Sequence, residues 1–176
     1  MHTILESERL LFRPHSITDL DAYCAMEMDI TVRRYVGGHP RSREEAEKRF
    51  PKNQTGTVTT DRLQLWATVL KVENIYIGRS GLYPHFDPAG ATIPGEAKLA
   101  FYIASNYWGY GFATEAGRAF IHFGFKELAL TRIVASIQEG NDASSHVLQK
   151  LGFAITSIEK GQRTFLHFAL QNPNLI

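Results

Sequence analysis

The chain has 176 residues, 44% of them apolar, which is enough for one well-buried core and short for two domains. Its 19 basic and 18 acidic residues leave a net charge near +1, so no overall field is available to gather nucleic acid or an anionic membrane. One cysteine, Cys24, excludes an internal disulfide framework and suits a reducing compartment. Its surroundings, Asp21-Ala-Tyr-Cys-Ala-Met, suit a small core residue better than a nucleophile.

Met1-His-Thr-Ile-Leu-Glu-Ser-Glu-Arg is charged early and carries no continuous apolar run, so neither signal peptide nor membrane span is expected, and the expected location is cytoplasmic. Arg9-Leu-Leu-Phe-Arg13, closed by Pro14, reads as a first strand. Thr18-Asp-Leu-Asp21 resembles a capping box, and a helix carrying Leu20, Tyr23 and Met26 is predicted after it. A second short helix is predicted over Asp29 to Tyr35, stopped by Gly37-Gly38. Ser42-Arg-Glu-Glu45 opens a charged helix that ends near Pro51. The polar stretch Asn53 to Asp61 is a loop.

Leu63 to Lys71 and Ile75 to Leu82 are rich in β-formers and flank Val72-Glu-Asn74, so they read as a hairpin, with Gly78 and Gly81 marking a bulge or a loosened strand. Pro84 to Pro94 is expected to be an irregular loop of a length that is often functional. Gly95 to Ile103 reads as a buried strand. The spacing of Ala116, Ala119, Phe120 and Phe123 predicts an amphipathic helix, so a strand passes into a helix across Gly109, Gly111 and Ala113. Thr131 to Ile137 alternates like a strand. Asn141 or Asp142 caps a helix striped by Val147, Leu148 and Leu151 and stopped by Gly152. Ala154 to Glu159 and Thr164 to Leu170 close the chain as strands around Lys160-Gly161. Strands before and after two helical crossovers make a mixed α/β sheet in one domain, residues 1–176.

The join at Gly109–Thr114 has chemical meaning. A helix start leaves N–H groups unpartnered and carries partial positive charge, and small residues let an anion approach them. No lysine stands in the turn, so the grip would come from backbone amides acting as a nest, with the Thr114 hydroxyl beside them. The nucleoside-triphosphate loop fails because Phe112 and Ala113 follow Gly111. The dinucleotide fingerprint fails because Thr114 takes its third small position.

Trp108-Gly-Tyr-Gly-Phe-Ala113-Thr-Glu-Ala resembles the Q/R-x-x-G-x-G/A pyrophosphate loop of the GNAT N-acetyltransferase superfamily, with Gly111 and Ala113 at the small positions. The wording is similar to the branch of bacterial ribosomal-protein N-terminal acetyltransferases, where Trp108 replaces Gln or Arg. Asn141-x-x-Ser144 followed by Gly152-Phe153 resembles the second motif, and Ser7-Glu-Arg-Leu-Leu-Phe-Arg-Pro the opening of the same branch, so the likeness spans nearly the whole chain.

The resemblance implies a GNAT-like, mostly antiparallel sheet with splayed central strands flanked by helices, and acetyl-CoA as co-substrate. By resemblance, the amides of Gly109, Tyr110, Gly111, Phe112, Ala113 and Thr114 hold the pyrophosphate beside Trp108. Phe101, Tyr102 and Ile103 pair with pantetheine, Asn141 holds the pantetheine or a water, and Ser144 lies near the sulfur. Leu148 takes the place of a tyrosine acid found in many relatives, so Ser144 is the substitute. Glu96 and His85 are candidate bases, although direct attack needs no dedicated base. Lys98 stands where the branch often has an acid, and His122 is a packed or partly exposed ring.

The expected acceptor is a primary amine, either a protein N-terminus in an open acidic groove or a small molecule in a pocket lined by Tyr35, Trp66, Tyr83 and Phe86. No metal site, nucleic acid or membrane is expected, and a homodimer stays open. The competing reading is a non-catalytic acyl-CoA-binding or sensing module.

Overall fold

The computed structural model describes residues 5–50 and 62–173. The expected loop at 53–61 lies outside them. The elements in chain order are β1 (Leu5–Glu6), β2 (Leu10–Arg13), α1 (Leu20–Met28), α2 (Ile30–Arg33), α3 (Arg43–Arg49), β3 (Leu65–Leu70), β4 (Ile75–Phe86), β5 (Thr92–Ile103), α4 (Phe112–Lys126), β6 (Arg132–Gln138), α5 (Asp142–Lys150), β7 (Ala154–Glu159) and β8 (Phe165–Gln171). The strands form one mixed sheet in the order β1-β2-β3-β4-β5-β6-β8-β7. Every neighbouring pair is antiparallel except β5 and β6, which run parallel because α4 carries the chain across between them.

Two apolar clusters cover opposite faces of this sheet. Phe12, Trp66, Ile77, Leu82, Leu99, Ile133 and Phe168 pack against Phe112, Phe120 and Phe123 of α4. Phe120 is fully buried and meets Phe12 edge to ring at 4.7 Å, a contact worth about 2–3 kcal/mol in burial alone. The second cluster joins Tyr23 and Cys24 of α1, Ala46 and Phe50 to Ala67, Val69 and Tyr76 of the sheet. Cys24 is a buried free thiol there, as its surroundings predict.

Several local readings are refined. The first capping box belongs to Ser16 and Asp19, at a 3₁₀ turn over Ile17–Asp19, instead of to Thr18. The reason is a second demand on Asp19, whose buried carboxylate accepts the Ser16 N–H at 2.7 Å and a bidentate pair from Arg13 at 2.6 and 2.7 Å. Ser42 and Glu45 form their box as expected.

The expected irregular loop at Pro84–Pro94 is a tight hairpin. β4 runs on to Phe86, and β5 starts at Thr92. Asp87 Oδ1 accepts the N–H groups of Ala89 and Ala91, both at 2.9 Å, and Gly90 supplies the left-handed turn, so a short polar stretch closes without a long loop. The bulge expected at Gly78 is present, with the register shifting opposite it between Thr68 and Val69. A Cβ at Gly78 would lie 2.0 Å from the Tyr102 carbonyl oxygen, so the close approach of β4 to β5 requires glycine there.

Candidate active site

The site begins where β5 and β6 stop pairing. They share three register positions, Glu96 with Arg132, Ala97 with Ile133 and Lys98 with Val134. Beyond Lys98, β5 continues against β4 as far as Ile103, and β6 continues against β8 as far as Gln138. The two strands therefore fork, and each is left with one edge lacking a strand partner. A cleft of about 640 Å³ occupies the fork, within the usual range for a small-molecule site. Its walls include Leu99–Ile103 of β5, Ala135–Gln138 of β6, the start of α4, and Asn141–Ser144 at the start of α5.

The mouth of the cleft is made by backbone. Gly109 and Gly111 both take left-handed conformations, with φ of +83° and +82°, which a side chain would strain. Among the described residues, nothing lies within 4 Å of where a Cβ of Gly109 would stand. Gly111 is the N-cap of α4 and offers no side-chain cap. The first intrahelical bond runs from Glu115 N to Gly111 O at 3.0 Å, so the N–H groups of Phe112, Ala113 and Thr114 have no helical partner. Three N–H groups that the helix does not use, two left-handed glycines and a positive helix end form an anion cradle.

The loop is braced at both ends. Trp108 Nε1 donates to the Ile103 carbonyl at 2.7 Å, tying the turn to the tip of β5. That carbonyl is thus occupied, and the Tyr102 carbonyl faces β4, so the backbone groups of β5 left free toward the fork lie chiefly at Leu99 and Phe101. On the far side, Glu115 accepts from Ser7 Oγ, Arg9 N and Arg9 Nε, each at 2.7 Å. Burial opposes its charge, but these three hydrogen bonds outweigh it and hold the Glu115 carboxyl below its usual range. Arg9 also bonds the Tyr110 carbonyl at 3.0 Å and lies over the Phe112 ring. This clamp was missed in the sequence, although Ser7, Arg9 and Glu115 all fall within the quoted motifs. Its two halves are joined only by folding.

Most of the residues expected to bind the cofactor converge. Phe101, Tyr102, Ile103, Trp108, Gly109, Gly111, Phe112, Ala113, Thr114, Asn141 and Ser144 all line the cleft. Tyr110 does not, since its ring is 63% exposed and stacks on Phe112. Asn141 caps α5 by accepting the Ser144 N–H at 3.3 Å, which leaves its Nδ2 to face the cleft. Leu148 is buried and also on the wall.

The expected bases sit elsewhere. His85 Nδ1 lies 2.8 Å from Glu96 Oε2, and Arg132 Nη1 donates to Glu96 Oε1 at 3.1 Å. This group occupies the paired part of β5 and β6, and neither His85 nor Glu96 lines the cleft. Burial raises the Glu96 pKa, yet the bonds from His85 and Arg132 prevail and hold it below the usual carboxylate range, which weakens it as a base.

Of the expected acceptor-pocket residues, Tyr35 and Tyr83 line the cleft. Trp66 is buried in the core, and Phe86 is exposed at the β4–β5 hairpin. Burial pushes the Tyr83 phenol upward, so it stays protonated as a donor. Lys98 is lowered by burial, with Glu159 opposing. Asp29 caps α2 and accepts from Ser105 Oγ at 2.5 Å, holding α2 beside the turn that follows β5. That bond is the main reason the Asp29 carboxyl lies below its usual range.

Comparison with known proteins agrees with this geometry. Residues 9–154 match the model of the acetyltransferase (GNAT) domain. The chain is 29% identical over 150 residues to the uncharacterized N-acetyltransferase YnaD of Bacillus subtilis (strain 168), covering 84% of this chain and 81% of that one. It superimposes on a GNAT-family acetyltransferase from Bacillus anthracis with a TM-score of 0.80 at 22% identity, covering 96% of this chain and 98% of that one. The ribosomal-protein-S5-alanine acetyltransferase of Vibrio fischeri gives a TM-score of 0.73 at 20% identity, with 96% of each chain covered. The forked sheet with its backbone cradle and the domain match lead to one conclusion, that this chain belongs to the GNAT acetyltransferase family, whose members are acyl-transferring enzymes.

Proposed function

We propose that the protein is an acetyl-CoA-dependent N-acetyltransferase acting on a primary amine by direct attack in a ternary complex. The observation that carries this reading is the parting of β5 from β6 beside the Gly109–Gly111 turn, which sets a free strand edge next to an anion cradle. Amides of Phe112, Ala113 and Thr114 suit a diphosphate. The open edge of β5, chiefly at Leu99 and Phe101, suits the amide groups of pantetheine, by the logic of an added strand. Arg9, Arg118 and Lys150 stand with Glu8 and Glu115 around a second depression, of about 340 Å³, beside Gly111; Arg9 is paired with Glu115, so Arg118 and Lys150 are the cations that would meet the nucleotide's remaining phosphate.

Acetyl-CoA supplies an acetyl thioester as electrophile with a thiol as leaving group. The chain's own residues hold and orient. Asn141 Nδ2 and the Ser144 hydroxyl offer donors on the α5 wall, while Ser144 is a poor acid and acts through a hydrogen bond or a water. Positioning two reactants in one cleft is itself a large part of such a rate enhancement.

The acceptor side is aromatic. Tyr35 and Tyr83 stand on the wall with Arg34, and among the described lining residues only Asp142 is acidic. This favours a small-molecule amine over a basic peptide terminus. Release of free thiol from acetyl-CoA, measured with a panel of small amines and N-terminal peptides, tests the reading. Turnover with a small amine is the expected outcome; CoA binding without turnover across the whole panel would leave an acyl-CoA-sensing module instead.

A further inference from the structure

Ser136, His167 and Glu159 come from β6, β8 and β7, which lie side by side in the sheet. Register sets Ser136 against His167. Ser136 Oγ lies 2.9 Å from His167 Nδ1, and His167 Nε2 lies 3.0 Å from Glu159 Oε2. A carboxylate can only accept, so Nε2 carries the proton, and in the neutral ring Nδ1 must then accept from the serine hydroxyl. The order is serine, imidazole, carboxylate, the arrangement by which a hydroxyl is made able to give up its proton.

The placement gives this chain a use. Ser136 is two residues past Val134, the last position at which β6 pairs with β5, and it lines the cleft just inside the fork. His167 and Glu159 stand behind it, away from the cleft, with the His167 side chain 31% and the Glu159 side chain 70% exposed, so a proton held on His167 can pass to solvent. The other histidine–carboxylate pair, His85 with Glu96, has no member on the cleft wall.

We propose that Ser136 is a catalytic residue that takes a proton from the incoming ammonium and relays it to His167, which Glu159 holds in the required tautomer. The proposal rests on the acetyl-transfer reading above. An ammonium that becomes an amide sheds two protons. One passes to Ser136 Oγ as the serine's own proton moves to His167 Nδ1. The other leaves on the thiol as the C–N bond forms and the C–S bond breaks. His167 then returns its proton to water. Among the described charged groups, Glu159 of β7 bonds the ring, Lys98 of β5 interacts with Glu159, and Arg163 in the β7–β8 turn bonds Gln138, two residues beyond Ser136. Histidine suits the role because its ring can take a proton on one nitrogen while the other keeps its own.

The test uses the full chain, with Ser136→Ala, His167→Gln and Glu159→Gln variants. Nitrogen NMR of the histidine rings without ligand should show His167 protonated at Nε2 in the parent protein, and that preference should weaken in Glu159→Gln. With an amine that the parent turns over, Ser136→Ala and His167→Gln should lower kcat at neutral pH by about 100-fold. The deficit should shrink as pH rises and the amine loses its proton unaided, while CoA affinity by calorimetry stays unchanged. Glu159→Gln, which acts only through the ring, should cost about 10-fold, less than the loss of a group that itself moves the proton. Variants with the parent's kcat and pH profile, or a His167 protonated at Nδ1, would overturn the relay while leaving acetyl transfer intact. An acetyl group found on Ser136 by mass spectrometry would overturn it too, making the serine a nucleophile. A parent that turns over no amine would remove the acetyl-transfer reading itself and the relay with it.

Discussion

The two sides of the fork are built from different materials. On the α4 side, the cradle is backbone: Gly109, Gly111 and the first amides of one helix, all within a few residues of each other. On the other side, the chemistry is in side chains brought from afar, with Ser136 and His167 separated by 31 residues. A grip made of main chain tolerates nearly any sequence that keeps the glycines. A relay made of side chains depends on strand order, and a single register slip would turn its members to the opposite face.

Substitution at the cradle gives the largest expected effect. Gly111→Val forces a β-branched residue into φ +82° at the anion-facing turn, and strain of this kind costs on the order of 1–3 kcal/mol. CoA affinity, read by calorimetry, should fall by about 100-fold, while far-UV circular dichroism stays that of the parent. Unchanged affinity would show that the grip is not made by the main chain.

The next effect belongs to the opposite face. His15 is buried among Tyr23, Phe50 and Tyr76, and burial first, then Arg79, lowers its pKa from 6.5 to about 4. A depressed value means that the unfolded chain binds the proton more readily, so the neutral ring's contribution is present above pH 6.5 and is lost as pH falls toward 4. Between pH 7 and pH 5 that amounts to roughly 2 kcal/mol. Thermal melts of the parent should show this loss, and His15→Phe should flatten it. An equal slope in the variant would mean that the acid sensitivity arises elsewhere.

Glu115→Gln sharpens the contrast further, because it removes a charge that accepts three hydrogen bonds while leaving the glycines in place. Stability should drop by about 1–2 kcal/mol. The depressed Glu115 carboxyl contributes above its unfolded value, near pH 4.3, and loses that contribution as pH falls through the folded one, so the parent and the variant should converge in strong acid. Asn141→Ala should have the smallest effect, about 1 kcal/mol of stability from the lost α5 cap, together with a modest rise in the KM for acetyl-CoA.

The same division explains what could be read in advance. Gly109, Gly111 and Asn141 announce themselves because a left-handed turn and a helix cap are local demands with short lists of acceptable residues. The forked strands follow from family likeness and not from spacing, since nothing in Leu99–Ile103 says on which residue pairing with β6 will end. Glu96 and His85 looked like bases because they are titratable and near the central strand in sequence. Folding pairs them with each other and with Arg132. His167 went unremarked because β8 inserts between β6 and β7, an order that alternation alone does not give. The hairpin at Asp87–Ala91 is hidden by Pro88 and Gly90 within it and Pro84 and Pro94 around it, which suggest irregularity where one carboxylate oxygen in fact organises the turn.

The tie from the Trp108 indole to the Ile103 carbonyl has a practical side. The chain has two tryptophans, one sealed at 1% exposure at position 66 and the other 45% exposed at the lip of the cleft. Their emission should therefore separate into a blue, quencher-resistant component and a red, accessible one. Occupancy of the fork should move the second alone, so the protein carries its own optical gauge of filling and needs no dye.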